Sequence, residues 1–248
     1  MNGKLGLGSI ITLVAAASAI SSPAQAADVS PRYAKAPAPL LYNWTGFYVG
    51  ANFGGAISAG ETVSTPLGVF ASDPSGVLGG VQAGYNYMFA PDWLIGIEGE
   101  FDWTAAQGIA NYIDSTNAAT LTSHHNFYDT LDARLGYVLG PWLFFAKGGA
   151  AWMNADYMLL GNGAGLAFNT SNTINTTRPG WTIGAGAEYM LSPYWSVKAE
   201  YDYLDFGNQT FNFGIPIVGP SLGISTRVHE VKFGVNYHWL PENLFGGL

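Results

Sequence analysis

The chain has no cysteine, few charged residues and, after about its first 20 positions, no long apolar run. Without cysteine there is no disulfide scaffold and no thiolate metal site. Charged residues are 10% of the 248, against roughly 25% in an ordinary soluble domain. Nine bases stand against 17 acids, a formal charge of −8, so there is no basic footprint for nucleic acid. The lack of a further run of ~20 apolar residues excludes a membrane-spanning helix from the rest of the chain. What is abundant is bulk: 8 Trp, 14 Tyr and 14 Phe beside 33 Gly, which does not suit a disordered chain.

The first residues read as a targeting segment. Lys4 precedes an apolar run from Leu5 to Ile20, Pro23 ends it, and Ala24-Gln25-Ala26 is a small-residue processing site. Residues 1–26 are expected to be a signal peptide cut between Ala26 and Ala27, because the run falls short of the ~20 residues an anchor helix needs. Residues 27–43, with Pro31, Pro37 and Pro39, read as a semi-rigid periplasmic lead-in.

From 44 to 240 the sequence alternates with period two, the signature of strands. Phe47, Val49, Ala51 and Phe53 oppose Gly46, Tyr48, Gly50 and Asn52. Val81, Ala83, Tyr85, Tyr87 and Phe89 oppose Gln82, Gly84 and Asn86. Six further runs repeat the pattern, ending with Val231, Phe233, Val235, Tyr237 and Trp239 against Glu230, Lys232, Gly234, Asn236 and His238. Tight, proline-marked reversals fall at Ala90-Pro91-Asp92, Gly140-Pro141 and Ser192-Pro193. The other connections, near 58–76, 104–125, 155–177 and 205–225, are long and rich in Gly, Ser, Thr and Asn. Four such loops are rare in a compact soluble domain. Short turns at one end and long loops at the other give an all-β fold, an eight-stranded antiparallel up-and-down transmembrane β-barrel with short periplasmic turns and long extracellular loops. A short tail, 241–248, follows.

Volume decides which face is outside. The apolar face carries roughly twenty aromatic side chains, while the interior of eight strands is only just wide enough to be filled. The aromatics must therefore point outward, toward lipid. They also cluster by height: Phe89, Trp93, Tyr137, Trp142, Tyr189, Trp195, Tyr237 and Trp239 flank the tight turns, and Trp103, Phe127, Trp152, Trp181 and Tyr203 lie nearer the loops. Two such girdles match the two water–lipid boundaries. The opposite face holds eight acids (Glu98, Glu100, Asp102, Asp132, Glu188, Glu200, Asp202, Glu230) and four bases (Arg134, Lys147, Lys198, Lys232), expected to form a lumenal charge network with pairs such as Glu98–Arg134 and Lys198–Glu230.

Three stretches carry a resemblance: Asn43-Trp44-Thr45-Gly46-Phe47-Tyr48-Val49-Gly50, Gly79-Gly80-Val81-Gln82-Ala83-Gly84-Tyr85-Asn86-Tyr87, and Arg134-Leu135-Gly136-Tyr137. In order and spacing they resemble the alphaproteobacterial outer-membrane immunogenic proteins, a small porin-like family related to the OmpA transmembrane β-barrel. The resemblance implies a Gram-negative outer-membrane barrel with both ends in the periplasm, inserted by the barrel-assembly machinery. Outer-membrane lipids and lipopolysaccharide would surround it, and an extracellular ligand would meet it at its loops. One departure is that Pro241 to Leu248 follow Trp239, where such barrels end on an aromatic residue.

Chemistry is weakly signalled. Glu98/Glu100/Asp102 and Glu200/Asp202 have acid–base spacing, but i, i+2 is also one face of a strand. Ser225 and His229 near the outer rim lack a third orienting group. His124 and His125 are adjacent and diverge, which does not suit a metal. Gly184-Ala185-Gly186 lacks the third glycine and helix of a dinucleotide site. No enzyme activity, cofactor or metal is expected. The expected role is structural and porin-like, with at most a narrow, cation-preferring pore. Surface recognition through the loops is the alternative, the third loop offering Asn162, Asn169, Asn172 and Asn175.

Overall fold

The computed structural model describes residues 42–65, 68–113, 117–163, 170–212 and 222–239. The expected signal peptide with its Ala26–Ala27 junction, most of the lead-in and the C-terminal tail lie outside the described residues, as does Asn169. Eight strands form a ring: β1 (Gly46–Ser58), β4 (Ser75–Ala90), β5 (Trp93–Thr104), β7 (Asn117–Leu139), β8 (Trp142–Gly163), β9 (Thr170–Ser192), β10 (Trp195–Phe211) and β11 (Leu222–Trp239). Each is antiparallel to its neighbours, and β1 pairs with both β4 and β11, so the sheet closes on itself. Three short strands, β2 (Glu61–Thr65), β3 (Gly68–Ser72) and β6 (Gln107–Ile113), extend the sheet at the long-connection end.

The register fixes the dimensions. Following paired residues around the ring from Trp103 leads through Gly79, Phe53, Phe233, Ala199, Ala187, Phe144 and Tyr137 back to Trp93. One circuit therefore returns to β5 ten residues from its start, and such a stagger requires tilted strands. Ten residues cover about 33 Å of strand. At a tilt of about 40° that is about 25 Å of height, the thickness of the apolar band of an outer-membrane barrel. Trp93 and Trp103 mark the two edges of the band. Allowing for the stagger, the ring level with Trp103 runs through Val77, Ile57, His229, Tyr203, Trp181, Trp152 and Phe127.

Between the edges, apolar side chains point out. Trp93, Trp142, Trp181, Trp195 and Trp103 are 43–57% exposed, as are Ile97 and Leu135 in mid-span at 53% and 49%. Beyond Trp103 the polarity inverts along continuous strands. On β8, Phe144, Ala146, Ala150 and Trp152 face out and Lys147 faces in; further on, Asn154 and Asp156 face out while Met153, Ala155, Tyr157 and Leu159 are buried inside. A charged interior under an apolar outer surface gives way to a mainly apolar interior, while the exterior becomes mixed, with Asn154 and Asp156 beside exposed Met158 and Leu160. Much of each long connection is accordingly strand: β2 and β3 in the first, β6 and the start of β7 in the second, the ends of β8 and β9 in the third. Thr, Asn and Ser in these stretches look like loop composition, yet each strand is held by the ladder of its neighbour, and on the start of β7 and the end of β8 every second side chain is buried.

Candidate functional site

The lumen is built in three tiers. At the turn end Trp44, Leu94, Val138, Leu143, Phe145 and Met190 pack into one apolar cluster. Trp44 reaches it from just before β1, with its backbone N–H directed at Met88 Sδ (3.4 Å) and its ring edge-on to His238. A polar chain lies beside this stopper: Asn52 donates to Gln82, Gln82 to Asn236, and Asn236 to Glu188. Ser196 bridges Glu188 (2.5 Å) and His238 Nε2 (2.7 Å).

The middle tier is ionic. Arg134 donates to Glu188 at 2.8 Å and to Tyr48 at 2.9 Å, lies 3.4 Å from Glu98, and stacks its guanidinium 3.8 Å from the Phe145 ring. Lys147 reaches Glu100 (2.9 Å), Glu200 (3.2 Å), Asp202 (3.3 Å) and Glu98 (3.5 Å). Lys198 reaches Glu100 (2.7 Å), Glu200 (2.9 Å) and Glu98 (3.5 Å). Lys232 lies within 3.6 Å of Glu100, Asp102, Glu200, Asp202 and Glu230. Four cations are thus shared among seven of the eight acids, which is how a lumen with surplus acid is held together.

All twelve residues of the expected network are buried in the interior, and eleven join it. Asp132 faces the same space beside Gly149, with no ion pair among the described residues. Glu98–Arg134 forms as expected. Lys198–Glu230 does not: Lys198 meets Glu98, Glu100 and Glu200, and the cation near Glu230 is Lys232, at 3.5 Å. The cause is the register of β10 on β11, which sets Lys198 opposite Gly234 and Glu230 opposite Asp202, too far along the strands for contact. Glycines supply the room. A methyl at Gly184 would collide with the Asp202 carboxylate, and one at Gly84 with the Tyr48 ring.

The upper tier is an apolar core that includes Leu78, Tyr128, Met153, Tyr157, Leu204 and Phe206. It encloses one polar knot. Glu61 on β2 accepts hydrogen bonds from Ser123 (2.6 Å) and Thr226 (2.9 Å), and His125 Nε2 lies 3.3 Å away. Arg178 donates to Thr226, to Tyr157 and to three backbone carbonyls. Burial pushes the Tyr157 hydroxyl up to about 12, so it stays protonated. On the outside at this height Asn126 and Asn175 donate to Asp156 at 2.9 and 2.8 Å, holding its carboxyl below the usual aspartate range.

Chemically the arrangement offers little to a substrate. Glu98, Glu100 and Glu200 bring carboxylate oxygens within 4.8 Å of one another, but the Lys147 and Lys198 ammoniums already occupy their midst. His124 and His125 turn to opposite faces of β7. His229 takes a hydrogen bond with Tyr201, its Nδ1 2.5 Å from the hydroxyl. Ser225 lies four residues up the same strand, roughly 13 Å away. Sequence reasoning missed Trp44, Glu61, Arg178 and Tyr157 as interior residues. Glu61 and Tyr157 fell in stretches read as loop, and Arg178 between the third loop and the alternating run that begins at Trp181.

The family described as outer membrane protein beta-barrel domain matches residues 12–238. The chain belongs to that family. Among this family's curated members, the 31 kDa outer-membrane immunogenic protein of Brucella melitensis biotype 1 is 31% identical over 244 residues, covering 92% of this chain and 98% of that one. The 25 kDa outer-membrane immunogenic protein of Brucella abortus biovar 1 is 26% identical over 236 residues, covering 93% and 98%. Of solved structures, the outer membrane protein OprG from Pseudomonas aeruginosa superposes with a TM-score of 0.50 at 12% identity, covering 79% of this chain and 98% of its own, a likeness of fold. The chain is an outer-membrane β-barrel protein.

Proposed function

We propose that this outer-membrane barrel is a structural, porin-like scaffold that conducts at most a narrow trickle of cations and catalyses no reaction. The supporting observation is the interior itself. Apolar tiers lie above and below a charge network whose members are at most 4% exposed. Eight-stranded barrels are ordinarily filled by their own side chains, and the excess of acid over base in the middle tier favours cations in whatever passes. In this reading residues 1–26 are removed as a signal peptide, 27–43 stay in the periplasm, 44–240 are placed by the barrel-assembly machinery among outer-membrane lipids and lipopolysaccharide, and 241–248 form a tail. The purified chain, folded into a planar bilayer, is expected to show no large steady current. A large, steady, anion-selective conductance would overturn the proposal.

Recognition outside the cell is the second reading, favoured by the β-extension beyond the lipid band, a costly structure for a plain scaffold. Replacing 155–177 with a short turn should abolish binding of an extracellular partner while leaving the membrane barrel folded. Binding that survives would clear that loop of the role.

A further inference from the structure

We infer that an oblique groove on the outer face of β1, β4 and β5 is a binding site for one acyl chain of a phospholipid from the leaflet at the turn end. The inference takes the outward band as facing lipid and does not depend on conductance.

The groove encloses ≈ 570 Å³ and lies along two neighbouring register rows. Its floor is the row Val49, Ala83, Gly99 and Leu131. The row on the turn side, Trp239, Phe47, Tyr85 and Ile97, forms its lower wall, with the Phe47 and Tyr85 rings 4.7 Å apart. From Trp239 on β11 to Leu131 on β7 the groove crosses four strand spacings, about 19 Å. The stagger makes the rows climb in that direction. With strands tilted about 40°, the climb is about 12 Å, half the height of the band.

Gly99 is the residue that opens the groove, and nothing in the barrel itself requires a glycine there. Its φ is not in the left-handed region, and its pairings with Ala83 and Leu131 run without a register shift. A methyl added to it would meet only Thr130 O, at 3.8 Å. A glycine inside a strand weakens it, and where neither a bulge nor a bend is present it marks the close approach of something else. Here that approach comes from outside, because Gly99 lies between the outward Ile97 and Phe101 on β5.

The position selects the occupant. Half the band is the share of one leaflet, so a chain entering beside Trp239, at the girdle, ends near Leu131. No lining residue of the two rows is charged, and the one exposed base among the described residues, Arg227, stands at the long-connection end. The chain is therefore what is recognised, not the headgroup. A second barrel fits less well: two upright cylinders touch along a line parallel to their axes, whereas this groove crosses the wall at a slant that a flexible chain can follow.

The test uses the full chain in phosphatidylethanolamine–phosphatidylglycerol nanodiscs containing a trace of phosphatidylethanolamine with a diazirine near the end of one acyl chain. After irradiation, adducts are mapped by mass spectrometry. Ile97 and Leu131 should be labelled about threefold or more above Ile183 and Val231, which are equally outward, because a chain held on several sides gains many small contacts. Gly99→Leu fills the groove and should bring Ile97 and Leu131 down to the level of the other two. Gly55→Leu, equally unconstrained with only Gly76 O at 3.8 Å from its Cβ but outside the groove, should change nothing. Even labelling around the band overturns the inference, as does undiminished labelling in a folded Gly99→Leu chain. Groove labelling that disappears when two copies share a disc assigns the groove to a second copy, and stronger labelling by lipid A carrying the same diazirine assigns it to the other leaflet; either result overturns the inference. The wild-type pattern decides the matter if Gly99→Leu fails to fold.

Discussion

Lys232 is the residue on which the ionic tier depends most, and Lys232→Met is the perturbation that tests it. Its ammonium stands 2.5 Å from Glu100, 3.1 Å from Asp102 and Asp202, 3.5 Å from Glu230 and 3.6 Å from Glu200, with no solvent exposure. Methionine keeps nearly the same length and volume, so packing survives and the charge alone is removed. Breaking a buried ion pair from one side costs about 3–5 kcal/mol, because the abandoned charge stays in low dielectric. Glu230 has no other cation within ion-pair range among the described residues, so the upper part of that range applies. At an urea slope of about 2 kcal/mol per molar, the unfolding midpoint should fall by about 2 M. The assay is tryptophan fluorescence of the chain folded into lipid vesicles and titrated with urea, with unboiled gel migration confirming a folded start. Lys232→Met combined with Glu230→Gln should recover part of the loss, since it removes one stranded charge. A fall of less than about 1 kcal/mol for the single variant, the value of an exposed pair, would refute the picture of a dry, shared network.

Three other outcomes are expected. Gly184→Val should cost at least about 2 kcal/mol or prevent folding, since its Cβ would meet Asp202 and the backbone of Tyr201, whereas Gly79→Ala, whose Cβ meets only Asn52 O at 3.5 Å, should change stability by less than about 0.5 kcal/mol; folded-band yield distinguishes them. Leu135→Arg in mid-band should destabilise by about 2–4 kcal/mol, while Thr173→Arg, at an exposed position of β9 well above Trp181, should be close to neutral, and equal costs in a vesicle urea titration would misplace the boundary. Asp156 has its folded pKa depressed by Asn126 and Asn175, so its contribution is full above the unfolded value of 3.8 and fades as pH falls through the lower folded one. Protection factors of the amides at 154–156 and 175–177, corrected for the intrinsic exchange rate, should therefore fall below about pH 4 in the wild type and lose that step in Asp156→Asn.

The sequence carried the strands and their outward face because both follow from a local period of two and from bulk. Trp93, Trp142 and Trp195 stand next to proline turns, so even their height could be read. The ionic pairs were another matter. Lys198 and Glu230 sit on adjacent strands, but the β10–β11 register sets Lys198 opposite Gly234 and Glu230 opposite Asp202, and that register cannot be read from alternation alone because the connection between the two strands is long. Trp44 escaped for a different reason: it precedes the first alternating position, and its role as a stopper comes from residues on four other strands.

The polarity inversion was present in the sequence but read against composition. On β8 Met153, Ala155, Tyr157 and Leu159 alternate with Asn154 and Asp156 as regularly as on the stretch below, with the apolar residues moved to the other face. A pattern search that assumes an apolar outer face finds nothing there, and on β7 a bulge between His125 and Phe127 shifts the parity as well. The inside must then become the apolar side. An apolar core excludes water only if something closes its wall, and where the β4–β6 ladder stops at Ser75 and Gln107 the short strand β3 packs beside β6.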